Sequence, residues 1–190
     1  MKSIHYSIIV PSYNRKDEIK ELIASFKNLN FPTNRFELII VDDGSNDGTA
    51  EFVADHISQN TLPLKYYSQQ NQGPGAARNL GMEKATGDFF IFVDSDCTVD
   101  NNWLSEIDTT LQQEKVDAFG GPDSFRNDFP PLLKAINYSM TSFLTTGGIR
   151  GHGKKKAGKF YPRSFNMGLS RQLHEKIGGF GALRHGQDIE

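Results

Sequence analysis

The sequence predicts an α/β domain built on a mainly parallel sheet, and three observations carry that expectation. Apolar runs and helix-period segments alternate four times over residues 1–115. The apolar runs are continuous, as in strands covered on both faces. Three of them stop at chemically loaded sequences: Pro11-Ser12-Tyr13-Asn14, Asp42-Asp43-Gly44-Ser45 and Asp94-Ser95-Asp96. Parallel strands joined by right-handed crossovers bring such ends to one edge, where ligands of α/β sheets bind.

The elements follow in chain order. Ser7–Val10 is a short apolar strand that Pro11 is expected to end. Ile19, Leu22, Ile23 and Phe26 recur at one helical face, with Asn14 as a candidate N-cap. Phe36–Val41 is a second buried strand. Asp47 or Thr49 can cap the helix that carries Phe52, Val53 and Ile57. Leu64–Tyr67 is a third, weaker strand, and Gly73-Pro74-Gly75 turns into a helix over Ala76–Ala85. Phe89–Val93 is the fourth strand, followed by a helix with Leu104, Ile107 and Leu111. Beyond about residue 115 the rhythm breaks. Ala118–Gly121 and Phe165–Leu169 are candidate strands, and Pro130–Phe143 and Arg171–Ile177 candidate helices. Between them, Thr145–Arg163 is rich in Gly and in Lys and Arg.

With 37% hydrophobic and 23% charged residues the chain has the composition of a globular domain, and its 190 residues suffice for a sizeable core. A net charge of −2 gives no general attraction to nucleic acid or to an anionic membrane. The single cysteine, Cys97, excludes an internal disulfide and a cysteine-rich zinc site. No stretch approaches the ~20 apolar residues of a membrane span, and the N-terminal apolar run is short for a signal peptide. The expected location is therefore cytoplasmic. The stop at Gln187-Asp188-Ile189-Glu190 is neither a polar tail nor a helix cap, and it is read as a cut in a longer protein.

Asp94 and Asp96 can approach one cation where their strand ends and bends, and carboxylate oxygens suit Mg2+ or Mn2+. The alternative is a solvated loop with two acids. Tyr13 offers an aromatic face on which a planar base can stack, or it closes the core edge. Asp42 and Asp43 are acceptors when ionised. One can take a base N–H or a ribose hydroxyl, with Asp43 favoured, and the other can serve the Asp-Gly turn. Arg78, after a run of small residues, can reach an anion or sugar or form a surface ion pair. Gly73–Arg78 fails as a dinucleotide fingerprint, since its third glycine position is Arg78. Gly148–Lys155 fails as a P-loop, since Lys155 stands where Ser or Thr is needed. Val93–Thr98 also matches the D-x-D-x-T of haloacid-dehalogenase-like phosphatases, with Asp94 as nucleophile and Asp96 as acid/base. That alternative leaves the first two loaded strand ends without a role.

Taken in order, the motifs resemble those of family 2 glycosyltransferases, which have the GT-A fold. They are Val10–Asn14, Val41–Ser45 with Asp47-Gly48-Thr49, Asn71–Asn79, Gly87–Asp96, Asn166-Met167-Gly168, Gly178-Gly179-Phe180 and Gln187-Asp188. The resemblance covers almost the whole chain. It implies one catalytic domain over 1–190, with a nucleotide-binding half at 1–115 and an incomplete acceptor half at 116–190. It implies that Pro11, Tyr13, Asp43 and Asp42 hold the base, and that Arg78 helps hold the nucleoside. Asp94 would contact the ribose or the metal, and Asp96 would ligate Mg2+ or Mn2+ on the diphosphate. Asp188 would be the general base, and the 166–168 and 178–180 segments would line the donor-sugar and acceptor cleft.

The implied reaction is metal-assisted sugar transfer with inversion, from a nucleotide diphosphate sugar with a bias to uridine. The acceptor hydroxyl would belong to a glycan or a lipid-linked molecule, in cell-surface polysaccharide synthesis. No nucleic-acid partner is implied. Membrane association would come through a missing C-terminal part. Gln187 departs from the usual Glu beside the base. A fragment that binds donor without turning it over is the second expectation.

Overall fold

The computed structural model describes residues 3–121, 130–141 and 165–181. Six strands form one sheet in the order β3-β2-β1-β4-β6-β5. They are β1 (Tyr6–Ser12), β2 (Phe36–Asp42), β3 (Leu64–Ser68), β4 (Phe89–Val93), β5 (Ala118–Gly120) and β6 (Asn166–Ser170). The described helices are α1 (Lys16–Lys27), α2 (Thr49–Ser58), α3 (Pro74–Lys84), α4 (Trp103–Gln113), α5 (Pro131–Thr141) and α6 (Arg171–Ile177). β1 to β4 run parallel, and β6 lies antiparallel between β4 and β5.

Period-two alternation sorts the buried strands into two cores. Tyr6, Ile8, Val10, Leu38, Ile40 and Ile91 pack with Ile19, Leu22, Ile23 and Phe26 of α1. Ile9, Ile39, Val41, Phe90 and Phe92 face the other way, toward Ala77 and Met82 of α3. α3 lies close on β1 because Gly81 has no side chain there; a Cβ would stand 2.4 Å from Ile9 Cγ2.

Two local expectations change. Pro11 does not end β1, which continues to Ser12 with Pro11 level with Val41. Pairing of β1 to β4 stops at Ile9, so Pro11 has a strand on one side only and its missing N–H is tolerated. Asn14 does not cap α1. Arg15 holds the N-cap position, and Asn14 sits at φ 51°, its side chain turned to a neighbouring loop.

The N-terminal edge of the sheet is closed by polar networks. Glu37 Oε1 accepts from Ser7 Oγ (2.6 Å), Thr86 N (2.6 Å) and Thr86 Oγ1 (2.9 Å), and Oε2 pairs with Lys65 Nζ at 2.6 Å. Burial pushes the Glu37 carboxyl up, but these partners outweigh it and hold the group at about 2. Nearby, Asp108 accepts from the Tyr6 hydroxyl (2.7 Å), from both Arg35 Nη atoms and from Gln112. Arg171 ties α6 to this edge through the carbonyls of Ala85 and Gly87, its guanidinium 4.8 Å from the Phe90 ring centroid. Among the described residues no helix is long and apolar enough to cross a membrane.

Candidate active site

The C-terminal edge gathers the loops after β1, β2, β3 and β4. Ser12 is level with Asp42, Asp42 with Ser68, and Ile9 with Phe92. The loaded ends of β1, β2 and β4 therefore share one edge, as the parallel arrangement requires. Asn166 of β6 is level with Val93, so the antiparallel strand begins beside the end of β4.

Tyr13 is 50% exposed at this edge. Its loop is clasped to the loop after β2. The Asn14 amide donates to Ser45 Oγ (2.8 Å), and Asn14 Oδ1 accepts from Asn46 N (2.9 Å). Asp47 adds a third tie and joins the starts of two helices. Its carboxylate accepts from Lys16 N at the start of α1 (2.9 Å) and from Thr49 N and Oγ1 at the start of α2. Burial raises the Asp47 carboxyl, but these bonds bring it below its ordinary value. Neither Asp47 nor Thr49 holds the N-cap position of α2, which Gly48 takes at φ 84°; Asp47 accepts the first N–H of the helix from one residue further out. Its hold on α1 is not legible in sequence, because the two residues are joined only through the fold.

Asp42 and Asp43 are both buried and both engaged by the protein. Asp42 accepts from Ser45 N (2.8 Å) and from the Tyr66 hydroxyl. Burial and that bond push the Tyr66 phenol up, so it stays a donor. Asp43 accepts from Gln69 Nε2 (2.7 Å), Gln72 N (2.9 Å) and Gly73 N (2.8 Å). It thereby fixes the loop that opens α3, in which Gly73 takes φ 95°. A carboxylate has about four acceptor sites, so three donors leave Asp43 room for one more.

Arg78 is not a surface residue. It is 5% exposed, and its Nη2 donates to Asp94 Oδ1 at 2.8 Å. The Asp94 side chain is 36% exposed, and Asp96 two residues on is exposed. The turn between them is closed by Cys97 N donating to the Asp94 carbonyl (3.1 Å). Among the described residues no group of three or more His, Cys, Asp or Glu gathers as a complete metal site. A solvent-facing pair of carboxylates still fits a hard cation that takes its other ligands from phosphate oxygens and water. Asp188 and the basic 145–163 loop lie outside the described residues.

Sequence reasoning missed one contact on this edge. Asn79, next to Arg78, donates through Nδ2 to the Phe180 carbonyl (2.9 Å) and accepts at Oδ1 from Phe180 N (2.8 Å). These residues stand 101 positions apart. Asn79 and Phe180 each fall in a quoted motif, but nothing in the sequence joins them.

The comparisons agree with this architecture. The profile of glycosyl transferase family 2 matches residues 7–178. The poly(ribitol-phosphate) beta-N-acetylglucosaminyltransferase TarS of Staphylococcus aureus is 33% identical over 142 residues, which are 70% of this chain and 25% of that protein. The crystal structure of S. aureus TarS 1-349 in complex with UDP-GlcNAc is similar with a TM-score of 0.73 and 26% identity, over 97% of this chain and 51% of that one. A mannosyltransferase from Pyrobaculum calidifontis, solved with GDP-Man and Mn2+, shares the fold with a TM-score of 0.72 at 21% identity, over 96% of this chain and 49% of that one. The chain thus spans between a quarter and about half the length of these relatives.

Proposed function

Because the chain belongs to glycosyl transferase family 2, we propose that it carries the donor half of a metal-assisted, inverting sugar transfer. The donor is a uridine diphosphate sugar, and the acceptor is a hydroxyl of a cell-surface polymer. The observation that carries this reading is the shared edge on which Tyr13, the Arg78–Asp94 pair and Asp96 stand together. The similarity to TarS, whose structure holds UDP-GlcNAc, supports the uridine donor.

Each residue type has work that matches its place. The exposed Tyr13 ring stacks on the base, worth about 1–3 kcal/mol. Asp43, with one acceptor site remaining, takes a base N–H, beside Asp42 and Pro11. Arg78 holds the Asp94 carboxylate toward the nucleoside. Asp96, with Asp94, would hold Mg2+ or Mn2+. The bound ion supplies Lewis-acid stabilisation to charge that grows on the departing β-phosphate. The acceptor hydroxyl needs a base within hydrogen-bond reach, a role proposed for Asp188. One displacement with one base inverts the anomeric carbon. The phosphatase alternative needs Asp94 as a nucleophile, whereas here Arg78 donates to its Oδ1.

The test is proton NMR of UDP-GlcNAc incubated with the chain, Mn2+ and a ribitol-phosphate oligomer. A β-linked product or, without acceptor, slow UDP release is expected, with loss on Asp188→Asn. Binding of UDP-GlcNAc with no UDP release, and no change on Asp188→Asn, would favour a donor-binding domain that does not turn over.

A further inference from the structure

We infer that Asn79 and Phe180 are positioning residues for the diphosphate end of the donor site, acting through Arg78 on Asp94. The inference rests on the donor site proposed above and extends it to two residues that act on it through Arg78.

The Asn79 amide engages one residue twice, accepting from the Phe180 N–H and donating to the Phe180 carbonyl at 2.8 and 2.9 Å. This imitates a strand pair. Among side chains of this length only a carboxamide both donates and accepts, so Asp cannot replace Asn here. The approach is shaped from the other side too. A Cβ on Gly179 would stand 2.4 Å from Asn79 Oδ1, so the absence of a side chain there lets the segment come in. With its backbone held, Phe180 packs its ring edge-on against Phe92 of β4 at 5.2 Å between centroids. The same ring lies 5.5 Å from the Arg78 guanidinium carbon.

That second contact matters because of how Arg78 is held. It is 5% exposed, and among the described residues its buried Nε has no hydrogen-bond partner. One Nη2 bond to Asp94 Oδ1 does not fix the plane of a guanidinium. The Phe180 ring supplies the missing constraint by packing and by cation–π attraction. Asp94 in turn receives its orientation from Arg78. The relay therefore runs from an amide on α3, through a segment 101 positions away, back to the residue beside it and then to the end of β4.

Two variants separate this role from a simple staple. Asn79→Asp keeps the shape and one bond but sets a carboxylate oxygen against the Phe180 carbonyl. Phe180→Leu keeps the backbone clamp but removes the aromatic face. UDP affinity is measured by calorimetry with Mn2+ and again in EDTA, on the full chain, beside the melting temperature. In wild type, Mn2+ tightens UDP binding. In both variants that Mn2+-dependent gain is expected to shrink about tenfold, and affinity in EDTA to fall by less than that, through the nucleoside contact of Asp94 alone. Nitrogen-15 NMR of Arg78 is the ligand-free readout, with separate Nη signals expected in wild type and averaging in both variants.

A lowered melting temperature with the Mn2+-dependent gain and the Arg78 signals both unchanged would overturn the relay. If wild type binds no UDP, the proposed function fails, and the Arg78 signals alone decide the relay. Retention in both variants refutes it, and averaging in both supports it.

Discussion

At the N-terminal edge of the sheet, Glu37 and Asp108 are surrounded by protein donors; at the C-terminal edge, Asp96 and Tyr13 face solvent. Both edges carry carboxylates, so the residue type does not distinguish them. What differs is where the partners come from. A buried carboxylate whose acceptors are filled by Ser7, Thr86 and Lys65 repays its desolvation inside the fold. An exposed carboxylate at a strand end, as Asp96 is, is set to take partners from outside. Asp42 and Asp43 stand between these cases. They sit on the ligand edge yet are engaged by β3 and by the loops after β2 and β3, which makes them builders of the site first.

The largest expected effect separates the two edges directly. Asp96→Ala is expected to lower Mn2+-dependent turnover of UDP-GlcNAc by about 100-fold or more, the scale of losing one electrostatic stabiliser of the departing group. Its melting temperature should stay within about 2 °C, because no described contact of the fold depends on an exposed Asp96. Equal losses of activity and stability would erase the distinction.

Glu37→Gln should give the reverse. Calorimetric or denaturant unfolding is expected to show a loss of about 2–3 kcal/mol, as buried donors lose a charged acceptor. UDP affinity of the folded protein should not change. The same residue sets a pH signature. Its folded value is depressed to about 2, so its contribution is complete above the ordinary glutamate range and is lost as pH falls from about 4.5 to about 2. Over that window about 3 kcal/mol of stability is at stake in wild type, and the Glu37→Gln variant should lose correspondingly less.

The smallest effect sharpens the ligand edge itself. Tyr13→Ala is expected to weaken UDP binding about tenfold with stability unchanged, and Tyr13→Phe to be near neutral, since the ring and not the hydroxyl stacks. A large effect of Tyr13→Phe would mean that the hydroxyl makes the contact.

The first four strands and the helices between them were legible because each continuous apolar run is one buried strand and each helical face one layer of the core. Tyr13, Asp94 and Asp96 were legible as site candidates because β1 and β4 are parallel and end on one edge, and Arg78 because it follows the run of small residues that opens α3. The orientation of β6 was not, because Phe89–Val93 is apolar on both faces and accepts a neighbour of either direction. Pro11 misled because its cost depends on whether a strand lies on each side, which composition does not record. Asn79 with Phe180, and Asp47 with Lys16, are joined by the fold across long separations and leave no local pattern.

The most direct measurement is isothermal titration of UDP into wild type and Asp96→Ala, each with Mn2+ and with EDTA. Binding in wild type that Mn2+ tightens, with that gain abolished in Asp96→Ala, is the expected result. UDP binding that is indifferent to Mn2+, or an Asp96→Ala variant that keeps the full Mn2+-dependent gain, would contradict the assignment of this edge as a metal–diphosphate site.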